Sequence, residues 1–195
     1  AAAAKLAAVV IERDQARRAA EHERRSHAFL LELSDAFRLL EDEEEVGRLA
    51  ARLLRERLGA GMVFVGEFDG AEDAFTLGPG DAAGDGPVPR GTVRRSAFSE
   101  LLAPLDAGPY VVEDVAARAG LPDQHKRELL AAGIGSFVSV PLHRGPRNPI
   151  WCLAVTAPTP RRWDASEVLL VSEAAERTWS AMQRARAAAA LKASQ

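Results

Sequence analysis

The chain predicts an α+β fold: a central antiparallel sheet with helices segregated on its faces. Three observations carry this. First, two apolar runs, Ser136-Phe-Val-Ser-Val-Pro-Leu142 and Ile150-Trp-Cys-Leu-Ala-Val-Thr156, are joined by a short stretch of Arg, Gly, Asn and Pro, the chemistry of a hairpin loop. Both runs are apolar on both faces, which places them in mid-sheet with cover on two sides. Second, helical patterns both open and close the chain. Third, most connections between strands are too short for crossovers, so the strands pair antiparallel.

Residues 1–40 hold neither Pro nor Gly and are rich in Ala, Glu, Arg and Leu, so they read as one long helix. A heptad-spaced row runs through Val9, Ala16, Ala19, Glu23, Ser26, Leu30, Leu33, Phe37 and Leu40. It is partly polar until Phe29, which predicts a loose coiled coil first and a domain-packed half second. His22 and His27 on this helix read as solvated surface residues. Asp42 and Glu45 cap a second helix with one apolar face (Val46, Leu49, Ala50, Leu53, Leu54, Leu58), and Gly59 and Gly61 end it. Residues 62–68 are the first strand, turned at Asp69-Gly70, and 74–77 a short second one. Residues 78–91 hold five glycines and three prolines and read as a mobile surface loop. Ser96 caps a short helix disturbed at Pro104. Residues 110–113 form a strand, and Pro122 opens a helix that stops at Gly133.

The last helix begins at a capping box, Asp164 with Glu167, and runs to about Leu191. Val168, Val171, Ala175, Thr178, Met182, Ala185 and Ala189 make a narrow seam of period 3.5, while Leu169, Leu170, Ala174 and Trp179 widen the stripe in the first half only. A wide stripe packs on a domain and a narrow seam meets another helix. The predicted partner is a second copy in a parallel homodimer, with Leu30, Leu33, Phe37, Leu40, Val171, Ala175, Thr178 and Met182 at the interface. The chain reads as a piece of something longer, with 1–28 an N-terminal helical linker, 29–180 the domain, and 181–195 a linker toward an output domain.

A net charge of −3 argues against a nucleic-acid surface. A single cysteine excludes a disulfide framework or multi-Cys zinc site and fits a reducing cytosol, so a cytoplasmic location is expected. No apolar run approaches the ~20 residues of a membrane-spanning helix. No metal cluster and no catalytic set is visible, so no catalysis is expected. Cys152 falls in a buried strand and reads as a small hydrophobe. Arg90, Arg94 and Arg95 read as a solvated basic loop, with anion binding the sharper alternative.

Val111-Val-Glu-Asp-Val115, Ala132-Gly-Ile-Gly-Ser-Phe-Val-Ser-Val-Pro-Leu142, Trp151-Cys-Leu-Ala-Val-Thr-Ala-Pro-Thr-Pro160, Arg162-Trp-Asp164 and Glu173-Ala-Ala-Glu-Arg-Thr-Trp179 together resemble a GAF domain. The flavour is that of bacterial sensor histidine kinases of the HWE type, where the domain stands between PAS-type sensors and the kinase. The resemblance implies terminal helices on one face of the sheet and a ligand pocket on the other. Phe64, Phe98, Leu101, His125, Leu129 and Ser139 are then the candidate pocket residues, and His125 is expected to touch a non-covalent ligand. Phytochrome GAF domains are distantly similar, with His125 and Ser139 in the places of a family His and a propionate-contacting Ser. Against this, Gln124 stands where some carry the bilin-attaching Cys, Glu128 replaces a Tyr, and Ala157-Pro158 replace a His.

Four functions follow as expectations. The leading one is a non-catalytic sensory domain of a multidomain, two-component signalling protein that binds an unidentified small molecule. Its partners are a second copy of itself and covalently linked sensor and output domains, and its cofactor is left unnamed. The alternatives are a structural relay module without a ligand, a bilin-binding photosensor, and a small-molecule enzyme on the same fold. The cysteine count argues against the last.

Overall fold

The structure, a computed structural model, describes residues 2–84, 86–143 and 149–194, with side chains from Ile11 onward. Helix α1 (Ala2–Ala36) tightens into a 3-10 turn at Phe37–Leu39. Asp42 caps α2 (Glu43–Leu58) by accepting the Glu45 N–H at 2.8 Å, and the acidic first turn suits the positive end of the helix. Gly59 closes α2 with φ of 58°, a left-handed C-cap. Strands β1 (Met62–Asp69), β2 (Ala74–Ala82), β3 (Gly91–Arg94), β4 (Tyr110–Val112), β5 (Ser136–His143) and β6 (Pro149–Ala157) form one antiparallel sheet in the order β3-β2-β1-β6-β5-β4. Short α3 (Ser99–Leu102) lies between two 3-10 turns, α4 (Asp123–Ala131) precedes β5, and α5 (Ala165–Ala193) closes the chain. The Asp164–Glu167 capping box opens α5 in both directions. The expected hairpin turn between β5 and β6 lies mostly at 144–148, outside the described residues.

Two local expectations change. The glycine-rich stretch is not all loop: β2 continues to Ala82, and Gly91 starts β3. Its glycines serve close approach. A Cβ at Gly80 would stand 2.5 Å from the Val63 carbonyl oxygen, and one at Gly78 would stand 2.9 Å from Val65 Cγ2. Ser96 does not cap a helix. Its N–H and its hydroxyl both donate to the Asp73 carboxylate, and the segment breaks into 3-10 turns around α3, with Pro104 opening the second.

The period of two along each strand sorts the core into two layers. Val63, Val65, Val138, Val140, Trp151, Leu153 and Val155 pack with α1, α2 and α5. Met62, Phe68, Phe137 and Cys152 face the other way, with Phe75, Leu102, Leu105 and Ile134. Terminal helices therefore cover one face of the sheet, and the short helices cover the other.

On the terminal-helix side, the seam expected between two chains is largely used within one. Leu30, Leu33, Phe37, Val171, Ala175, Thr178 and Met182 are all buried in the single chain, and Leu40 packs against the same core. The reason is geometric: α2 and the second half of α1 lie against α5, so its narrow stripe already has partners. The seven buried residues are therefore enclosed within one chain and do not lie on its surface. Toward the end of α5, Arg186 grips Glu67 of β1 in a fork (2.9 and 2.5 Å) and also pairs with Glu43 of α2, with its guanidinium 5.7 Å from the Trp179 ring centre. By contrast, residues 11–20 of α1 are exposed throughout, as are His22 and His27.

Candidate functional site

The second face of the sheet does not close against its helices. Between them lies a half-enclosed cavity of about 280 Å³. Alternate positions on the strands build its floor: Phe64 on β1, Phe75 and Leu77 on β2, Val93 on β3, Phe137 and Ser139 on β5, and Cys152, Ala154 and Thr156 on β6. Phe98, Leu101, Leu102 and Leu105 form one wall, and His125, Glu128 and Leu129 of α4 form another. All six residues expected at a pocket (Phe64, Phe98, Leu101, His125, Leu129 and Ser139) line this one cavity.

The polar groups are few. His125 is 9% exposed, its ring stacks on Phe98 at 5.0 Å between centroids, and its Nδ1 has no hydrogen-bond partner among the described residues. Such an unpaired buried atom is uncommon and calls for an explanation. The Thr156 hydroxyl is engaged, donating to the Met62 carbonyl oxygen at 3.3 Å. Glu128, at the exposed edge of α4, accepts from Gln124 at 2.9 Å. No Lys or Arg lines the cavity among the described residues. Of the three arginines of the basic loop, Arg90 pairs with Glu44 at 3.0 Å, Arg95 pairs with Asp106, and Arg94 is exposed; none reaches the cavity wall.

Cys152 lines the cavity but is chemically quiet. Burial pushes its thiol up to about 12, against smaller downward pulls from hydrogen bonds with Ser139 and the Gly66 backbone. Thiolate is the reactive form, so about one thiol in ten thousand is available at pH 8. In the folded protein Cys152 should react with iodoacetamide at least ~100-fold more slowly than after unfolding in guanidinium, read by intact mass against time. Equal rates in the two states would show the thiol to be open.

The cavity wall includes residues not anticipated from the sequence. Phe137, Ala154 and Thr156 follow from Ser139 by the period of two and the β5–β6 register, in which Ser139 faces Ala154 and Phe137 faces Thr156. Val93 was hidden because β3 was not expected; it pairs with Phe75 of β2. Among the described residues there is no cluster of His, Cys, Asp and Glu able to hold a metal, and no helix long and apolar enough to cross a membrane.

With this geometry in hand, comparison with known proteins is direct. A family model described as GAF domain matches residues 41–183, and the chain belongs to that family. GAF domains are in general sensory or regulatory. No curated protein matches the chain in sequence. Among solved structures, a far-red-absorbing dark state with bound biliverdin is similar at 21% identity and a TM-score of 0.67, covering 81% of this chain and 99% of that one. The chromophore-binding domain of an unusual bacteriophytochrome from R. palustris gives 13% identity and a TM-score of 0.68, covering 85% and 63%. Free methionine-R-sulfoxide reductase from Neisseria meningitidis, in complex with its substrate, gives 18% identity and a TM-score of 0.64, covering 84% and 91%. Likeness at these identities establishes the shared fold.

Proposed function

We propose that this chain is the ligand-sensing, non-catalytic GAF domain of a cytoplasmic multidomain signalling protein of the histidine-kinase type, in a two-component system. Its ligand sits non-covalently in the cavity beside His125, and its terminal helices (1–28 and 181–195) join a sensor on one side to an output domain on the other. One observation carries the reading: the cavity and the terminal helices occupy opposite faces of the same sheet, so an occupant that changes the sheet's shape changes the seat of α5. A ligand shifts such an equilibrium only through unequal affinity for its two states. The proposal includes a parallel homodimer, formed outside the domain core. The exposed stretch 11–20 of α1 motivates this, because an isolated helical arm of that length is marginal in water until a partner covers it.

Native mass spectrometry of the purified protein tests the ligand. A small molecule that stays bound under native conditions and leaves on denaturation is the expected result. His125→Phe, which preserves the stack on Phe98 and removes the ring nitrogens, should then weaken its binding about 5- to 20-fold with the melting temperature nearly unchanged. A protein that carries no small molecule, and whose stability no cavity-sized compound alters, is instead a relay module.

A further inference from the structure

The walls of the cavity restrict what it can hold. We infer that its ligand is a neutral, flat, largely apolar molecule about the size of two fused rings; this rests on the sensing function proposed above. Size is the first restriction. An apolar cavity of about 150 Å³ takes benzene, so one of about 280 Å³ takes roughly twice that. A tetrapyrrole is far larger.

Charge is the second. Among the described residues the wall offers no Lys or Arg to an anion, and the basic loop spends Arg90 and Arg95 on carboxylates of this chain. Phosphate, carboxylate and propionate groups would therefore enter without a fixed cation, with only the His125 ring and the Ser139 hydroxyl as polar company, a heavy penalty in an apolar site. A cation fares little better, because Glu128 stands at the exposed edge and the floor is Phe, Leu, Val, Ala and Cys, with only the hydroxyls of Ser139 and Thr156 among them. Shape is the third. Phe98 and His125, stacked on each other with planes 21° apart, stand in a wall that also holds Phe64, Phe75 and Phe137, so aromatic rings dominate the lining. Ring stacking rewards a planar partner.

The test uses one ring system in three charge states: indole, indole-3-acetate and tryptamine, each titrated into the whole chain by calorimetry. Alongside runs Ala154→Leu, which adds bulk to the cavity floor from a central strand. Indole should bind saturably, and the anion and the cation each at least about tenfold more weakly. Ala154→Leu should weaken indole by about tenfold or more while keeping a cooperative melt. If that variant does not fold, Ala154→Val takes its place, with a smaller loss in the same direction.

Indole-3-acetate or tryptamine binding as tightly as indole overturns the neutral class and leaves the sensing function standing. Indole binding that neither Ala154 variant weakens places indole outside the cavity and overturns the inference. A charged or much larger native ligand released on denaturation overturns it too, while supporting sensing. Failure of all three compounds, in a protein that also releases no native ligand, removes both.

Discussion

Glutamates placed together at Leu33 and Met182 are expected to unfold the domain. Both positions are enclosed within one chain, Leu33 at 0% and Met182 at 2% exposure. Each substitution removes apolar burial and strands a carboxylate without a cation. An uncompensated buried charge costs about 3–5 kcal/mol. Two of them approach or exceed the ~5–15 kcal/mol that holds a typical domain together. Far-ultraviolet circular dichroism with urea titration should show no cooperative transition at room temperature. Leu31→Glu is the informative neighbour. Leu31 is 59% exposed and should tolerate the charge with a stability change within about 0.5 kcal/mol. A doubly substituted protein that remained folded and became monomeric would restore Leu33 and Met182 to an interface between chains. Leu31→Glu that shifted a dimer to monomer in light scattering, with an unchanged melt, would place the contact on the outer face of α1.

Trp151→Ala should be the most damaging single truncation in the sheet, and Cys152→Ala beside it among the mildest. Trp151 is fully enclosed, lies on the terminal-helix side of β6 and tilts against Trp179 at 5.7 Å. Truncating such a residue costs about 3–5 kcal/mol. At 2–4 °C per kcal/mol for a chain of this size, the melting temperature should fall by roughly 6–20 °C. Cys152 points the other way, to the edge of an existing cavity, and losing its sulfur should cost on the order of 1 kcal/mol. Thermal melts of the two variants, side by side, make the comparison. Similar losses from both would mean that the two faces of β6 are packed alike.

Much of this architecture was legible because its signals are local. The Asp42 and Asp164 caps, the left-handed Gly59 and the doubly apolar β5 and β6 each follow from a few adjacent residues. What was not legible depended on distant partners. β3 is only four residues long and exists by pairing with β2, so its glycine-rich surroundings read as loop. The seam on α5 posed a different problem. A period of 3.5 states that a helix meets another helix, and says nothing of whether that helix belongs to the same molecule. Leu33 and Met182 are buried in the core that α1, α2 and α5 of one chain share. The cavity residues Phe64, Phe98, Leu101, His125, Leu129 and Ser139 were reached through resemblance to GAF domains. No periodicity in α4 or the segment around α3 marks a cavity as distinct from a filled core.

The alternation along β6 has a consequence for how such a domain can diversify. Positions 152, 154 and 156 belong to the cavity, and 151, 153 and 155 belong to the helices. Substitutions at the even positions can therefore exchange one chemical preference for another while the helix contacts at the odd positions are inherited intact. Receptor choice and transmission become separately heritable, interleaved residue by residue along a single strand. A lineage could then explore new inputs without having to reinvent its output.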